Sequence, residues 1–525
     1  MQIFSAVMSE CKTVLSRIWF VMVWVVILLG FVLLVSRYVR ASIDDLFIIL
    51  RYVENAANGY GLAYNIGERV EGYTCFGWVL SLWGLVSLGW PAYWAAKLMG
   101  IVCSIGTLWL SYGIGRELWH GKPHAKIIAF LPTFLLLVNP DFLYWSVSGL
   151  ETPLFTVSVV AVIYLLVIET RLAREQQLTR WMVVIGQAIL CSIATLTRPE
   201  GIVLLAYAFV AKFVMWRSRH DWLRYCMALG VSVSVPIIAF FIWRFHYYGE
   251  WLPNTYYAKM DGAIFERIHS GRFNLQGFLA SNCFGWVGMH GQSAWPGIMI
   301  FMLLPVIALF VVQKKRAHLV VLGWAIILTA IIVWEGGDWM PHNRFFVPVL
   351  ACFMLLVVHS VLGLIDRIGE CSRVFCRQVV TIASVVLIAA LFLDYLRLNI
   401  RHAPISSIER DDSWPVVFSR YILESAPTGT LAASDIGLIG YITHYRVIDL
   451  AGLVDKHISR SFGNSFQKDY DIMYVLNQLP DFIVLTDQRC LAEDRLRQSP
   501  EFMTKYKFIK KHEAHSLYEN NGKRL

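Results

Sequence analysis

The sequence predicts an all-α polytopic membrane protein with about eleven transmembrane helices, followed by a small C-terminal α/β domain. Three observations carry that expectation. The chain is 57% hydrophobic and only 16% charged, where a soluble chain carries about a quarter charged residues. Uncharged apolar runs recur through the first 395 residues, beginning with Ile18 to Ser36, which is long enough to cross a bilayer. Beyond residue 395 the pattern changes to short apolar clusters, Gly429-Ala433, Val447-Leu450 and Phe482-Leu485, set between helical stretches. The division expected is therefore a membrane module over 1–395 and a soluble domain over 396–525.

Taken in order, the expected spans are 18–38, 92–112, 127–139, 152–169, 181–197, 201–215, 225–243, 295–312, 318–334, 345–365 and 378–394. Arg17 flanks the first, and no small-residue cleavage site follows it, so it reads as a retained signal-anchor. Phe76 to Trp90 is too short to span and reads as an interfacial or half-buried helix. With that segment left on the outer side, the basic stretches Arg116-Lys126, Arg171-Arg180, Arg217-Arg224, Lys314-Arg316 and Arg367-Arg377 all face the cytoplasm. The N-terminus is then inside, and the C-terminal domain outside.

The net charge of +9 fits basic cytoplasmic loops, and no long basic run argues for nucleic acid. The ten cysteines form no framework: Cys103, Cys191, Cys226 and Cys352 fall inside apolar runs, Cys11 near the N-terminus, and Cys371 and Cys376 in a basic loop. P-loop, GxSxG and HExxH patterns are absent from the sequence.

The outward segments concentrate the chemistry. Asp44-Asp45 precedes the apolar run Leu46-Leu50, with Asn58-Gly59 about four turns later, a pattern for a capped helix at the membrane surface. One reading makes these aspartates a cap and a dipole partner. The other makes them a base, since paired carboxylates beside lipid have raised pKa values suited to taking a proton from an alcohol. Adjacent carboxylates also suit a divalent cation, but two ligands alone are a weak metal signal, so no metal site is assigned. Glu71 and Tyr73 in the glycine-rich loop 61–74 can hydrogen-bond sugar hydroxyls. In Thr197-Arg198-Pro199-Glu200-Gly201 the charges lie at the membrane boundary, where ionisable groups are expensive. His246 lies in the aromatic stretch Arg244-Lys259, and Asp338, Trp339 and Arg344 share one short loop. Arginine suits a phosphate, and tryptophan stacks on sugar rings. A base, phosphate-capable cations and aromatics beside lipid suit transfer from a lipid-linked phosphosugar to an extracytoplasmic acceptor. A lipid or solute transporter is the alternative from the residues alone, and the resemblance described below adds a non-catalytic envelope or flagellar motility factor.

Residues Asp44 to Thr74 resemble the first outer loop of the arabinofuranosyltransferase B-like family, membrane glycosyltransferases of the GT-C class. Further blocks occur in the family's order: Ser148-Gly149-Leu150-Glu151-Thr152-Pro153, Thr197-Arg198-Pro199-Glu200-Gly201, Tyr247-Tyr248-Gly249 with Leu252-Lys259, Gly336-Pro341 with Arg344-Phe345, and Ser434-Gly440 with Val447-Leu450. The family's Glu-Gly-Tyr-Thr is usually followed by Asn-Pro, whereas Cys75-Phe76 follows here. The resemblance implies inverting transfer from a polyprenyl-phosphate sugar, D-arabinofuranose in the family, to an envelope glycan or glycoconjugate. It implies Asp44 or Asp45 as base, Asp44 being the first choice. Arg198 and Arg344 would hold the donor phosphate. Glu71, Tyr73, Glu151, Glu200, His246, Asp338, Trp339 and Asp435 would contact sugar or acceptor. No cofactor is assigned beyond a candidate divalent cation.

Overall fold

The computed structural model describes residues 2–172, 177–215, 219–259, 264–282, 316–370, 374–402, 408–487 and 489–523. The chain opens with α1 (Gln2–Val35), α2 (Asp44–Ala57), α3 (Phe76–Ser87) and α4 (Ala92–Leu118). Among the described residues six helices are long and apolar enough to cross a membrane: Val14–Val35, Ala92–Leu118, Thr152–Thr170, Trp222–Tyr248, Arg316–Glu335 and Arg344–Gly363. A seventh is formed if Ala125–Leu137 and Pro140–Ser146, bent by 70°, count as one span. This is a multi-pass membrane protein. Trp181–Thr197 and Gly201–Val214 are apolar but shorter, and 378–394 lies within the helix Val374–His402. The expected span 295–312 lies outside the described residues.

The expected span 127–139 ends at a break for a local reason. A residue before proline is pushed away from helical backbone. Asn139 adopts an extended conformation ahead of Pro140, and its Oδ1 accepts from Phe142 N at 3.0 Å, starting a new helix. The short α3, 12 residues long, is again too short to span.

Helix packing follows the rule that small residues let backbones approach where both partners are already apolar. Along the contact of α4 with Thr152–Leu172, a Cβ at Gly113 would meet the Tyr164 ring at 2.9 Å. Deeper in the module, Lys212 pairs with Glu169, whose second oxygen accepts from Gln187 at 3.3 Å, and Tyr225 donates to Gln187 at 2.9 Å. Four helices thereby satisfy each other's buried polar groups.

The C-terminal residues build a five-stranded sheet from β1 (Thr430–Ala433), β2 (Arg446–Asp449), β3 (Phe482–Thr486), β4 (Tyr506–His512) and β5 (His515–Asn520). The spatial order is β2-β1-β3-β5-β4, with β1 parallel to β2 and β3, and β5 antiparallel to β3 and β4. The first three strands coincide with the apolar clusters. The last two escape a hydrophobic reading because β4 is an edge strand whose Lys507, Lys510 and Lys511 point to solvent, as edges often do.

The sheet docks on α2 through specific hydrogen bonds. Arg51 donates to the carbonyls of Gly440 (2.9 Å) and Tyr445 (2.6 Å), Tyr64 to that of Ile436 (2.6 Å), and Tyr441 to Glu54 (2.6 Å). Asn65 bridges Val447 in both directions, accepting from its N–H and donating to its carbonyl.

Candidate active site

The helix α2 is not a surface helix. Leu46 through Val53 are buried without interruption, Arg51 included. Nor does an aspartate cap it: the N-cap is Ile43, without a side-chain hydrogen bond, and Asp44 and Asp45 already occupy the first turn. Their negative charge there still suits the helix dipole.

The two aspartates diverge because successive helical residues point about 100° apart. Asp44 turns to the C-terminal sheet, its carboxylate accepting from Gly437 N (2.7 Å) and Leu438 N (2.8 Å) at the start of the helix Gly437–Thr443. Asp45 instead lines a cavity of about 260 Å³. The same cavity is lined by Tyr73, Glu151, Arg198, Glu200, Lys259 and Arg344, so loops distant in sequence converge on Asp45.

Within that cavity Arg198 lies between two carboxylates, 2.6 Å from Glu200 and 3.5 Å from Glu151. Arg344 is held by Asp338 at 2.6 Å. Both guanidinium groups also approach Phe345, at 4.2 Å for Arg198 and 4.9 Å for Arg344 from the ring centre. An aromatic between two cations stabilises both through its ring electrons. Burial pushes the Asp45 carboxyl above its ordinary value; the charges of Lys259 and Arg344 pull it back, and those of Asp338 and Glu151 raise it again. Burial raises Asp44 to about 7, and the nearby Asp435 adds to the shift.

The remaining expected residues distribute as follows. Glu71 is buried in an ion pair with Arg244 (2.8 Å), and burial raises it to about 7 against the pull of that arginine. Its neighbour Tyr73 lines the cavity and meets the Tyr248 hydroxyl at 3.0 Å. His246 is not brought to the cavity: it is exposed, with Nδ1 2.8 Å from the Ile242 carbonyl one turn back along its own helix. Trp339 is exposed and packs edge to face on Phe466. Asp435 sits in the C-terminal part, paired with Arg489 (3.0 Å) and His515 (3.2 Å). Although burial opposes ionisation, those two partners hold its carboxyl below the ordinary range.

Sequence reasoning passed over Lys259, Glu335, Phe345 and Cys75, all of which line the cavity. Lys259 closes the conspicuous Leu-Pro-Asn-Thr-Tyr-Tyr-Ala-Lys block, which was the available signal. Nothing in the sequence separated Glu335 from an ordinary helix end. Among the described residues no group of three or more His, Cys, Asp or Glu side chains is placed to hold a metal.

Comparison with known proteins agrees with this architecture. Residues 407–522 match a family model described as a domain of unknown function, DUF8728. A terminal beta-(1->2)-arabinofuranosyltransferase of Mycobacterium tuberculosis is 28% identical over 221 residues, covering 41% of this chain and 34% of that protein. Its namesake from Corynebacterium glutamicum is 27% identical over 365 residues, covering 62% of this chain and 48% of that protein. Over these stretches the chain is similar to terminal arabinofuranosyltransferases. The chain spans less than half the length of both relatives. Its fold is also that of ArnT from Cupriavidus metallidurans, solved bound to undecaprenyl phosphate, with a TM-score of 0.61 at 13% identity over 96% of this chain and 98% of that one.

Proposed function

We propose that the protein transfers a sugar, D-arabinofuranose by analogy with its relatives' names, from a polyprenyl-phosphate donor to an envelope glycan or glycoconjugate, with inversion. The site would lie on the extracytoplasmic side of the bacterial inner membrane. The observation that carries the reading is the placement of Asp45 in one cavity with Arg198, Arg344 and Lys259. A base beside clustered cations, in a membrane protein of this fold, suits displacement of a phosphate by an alcohol.

In that reaction the acceptor hydroxyl oxygen attacks the anomeric carbon and its proton passes to the Asp45 carboxylate. The bond from the anomeric carbon to the phosphate oxygen breaks with its electron pair. Polyprenyl phosphate leaves with one more negative charge, which the cavity's cations stabilise. Because that leaving group is an anion, no general acid is required. Asp44, bound to the C-terminal part through two backbone N–H groups, fixes the turn that presents Asp45.

The test is transfer by the purified protein from synthetic polyprenyl-phosphate arabinofuranose to an arabinofuranosyl oligosaccharide, with Asp45→Asn and Asp44→Asn beside the wild type. Loss of about two to four orders of magnitude in kcat for folded Asp45→Asn is expected from removing a general base. Full turnover by Asp45→Asn, with loss in folded Asp44→Asn, would move the base to Asp44. Bound donor without turnover in any form would favour a non-catalytic role.

A further inference from the structure

Aromatic side chains gather at the seam between the membrane module and the C-terminal sheet. Trp339 is 59% exposed and directly follows Asp338, whose carboxylate holds Arg344 at the cavity wall. Its ring meets that of Phe466, on a loop of the C-terminal part, at 5.4 Å and 77°. Arg489 lies 4.7 Å from the centre of the Phe466 ring and donates to Asp435 at 3.0 Å. Phe462, on the same loop as Phe466, is 80% exposed.

That loop is braced. Lys468 donates from within to the carbonyls of Ser459 (2.8 Å) and Ser461 (3.0 Å). Asp469 N bonds the Phe462 carbonyl at 2.8 Å, and Phe466 N bonds Asn464 Oδ1 at 2.9 Å. A fixed loop that holds aromatics out of its own core keeps apolar surface available to something else.

We propose that Trp339 and Phe466 form a carbohydrate platform that receives the acceptor glycan at the mouth of the Asp45 cavity, with Arg489 bonding its hydroxyls; this rests on the glycosyl-transfer reading above. A sugar ring has an apolar C–H face and a polar rim. Aromatic rings cover the first, and the partly exposed Arg489 side chain offers guanidinium N–H groups to the second. Hydrocarbon would suit this surface badly, because it would desolvate Arg489 and Asp435 without replacing their water. Trp339 is tied to the cavity wall through its chain neighbour Asp338, which holds the cavity residue Arg344.

The experiment measures binding of a synthetic arabinofuranosyl hexasaccharide to the full chain by saturation-transfer NMR without donor, and KM for the same oligosaccharide with donor. Trp339→Ala and Phe466→Ala are each expected to raise Kd and KM about ten-fold, the scale of removing one good aromatic contact. The kcat at saturation and the binding of donor lipid should stay unchanged, and Trp339→Phe should recover most of the affinity. Equal binding by wild type and Trp339→Ala overturns the platform, as does a wild type that binds no oligosaccharide. So does a nitroxide on Trp339→Cys that reports immersion in the bilayer. Binding that follows the variants in a protein with no transferase activity keeps the platform and removes the reaction. Turnover with unaltered KM in all variants does the reverse.

Discussion

Asp44 and Gly437 meet across 393 positions of sequence, the Asp44 carboxylate accepting the Gly437 N–H at 2.7 Å. Gly437 has no room for a side chain, since a Cβ there would lie 1.9 Å from the Asp44 carbonyl oxygen and 2.6 Å from its carboxyl carbon. This contact locks the C-terminal sheet onto the turn that carries Asp45.

Gly437→Ala should therefore undock the sheet without touching the cavity lining. Limited proteolysis is expected to release a C-terminal fragment from Gly437→Ala that the wild type does not yield. Transfer should fall with it, because the first turn of α2 loses its external anchor.

Stability should decline as pH rises. Asp44, Glu71 and Asp449 are each raised to about 7, chiefly by burial, from ordinary values near 4. A raised folded-state value means that the native state binds more protons than the unfolded one between those limits. The contribution is full below about pH 4 and is lost as pH passes through about 7. The Tm in detergent should be higher at pH 5 than at pH 8. Asp449→Asn, which removes one of the three groups, should flatten that slope; an unchanged slope would exclude Asp449 as a contributor.

Lys259 pulls the raised Asp45 carboxyl downward. Removing that charge in Lys259→Met should move the acidic limb of the kcat/KM profile to higher pH, because the base then needs a higher pH to lose its proton. The variant should also bind donor lipid more weakly. A limb that stays in place would show that Asp45 is not the group titrating.

Arg198→Ala should be the most damaging change in the cavity. It leaves Glu151 and Glu200 buried without their cation, and breaking a buried pair in this way costs about 3–5 kcal/mol. Lower yield and a lower Tm are expected together with lost transfer. Arg344→Ala leaves only Asp338 bereft, and should lose transfer with a smaller change in Tm.

Much of this architecture is written in local chemistry. Long uncharged runs such as Ile18 to Ser36 specify membrane helices because the bilayer admits only backbone that satisfies its own hydrogen bonds. Three strands of the sheet follow from their apolar clusters, and the arginines of the cavity from their cost at a membrane boundary. The order of motifs along the chain was enough to suggest a resemblance to arabinofuranosyltransferases.

What the sequence left open was which of two adjacent aspartates faces which partner. Neighbouring residues share composition, spacing and helix, so no local rule separates Asp44 from Asp45. The decision lies with what packs against each face of α2: the N–H groups of Gly437 and Leu438 at the start of the helix Gly437–Thr443 on one side, the cavity with Arg198, Lys259 and Arg344 on the other. His246 shows the same limit, since an aromatic-rich stretch fixes its composition but not the side of the helix it faces. Composition and periodicity determined the membrane architecture, because burial in lipid constrains each segment alone. The tertiary structure decided the site, because charges far apart in sequence acquire their roles only from the neighbours that folding gives them.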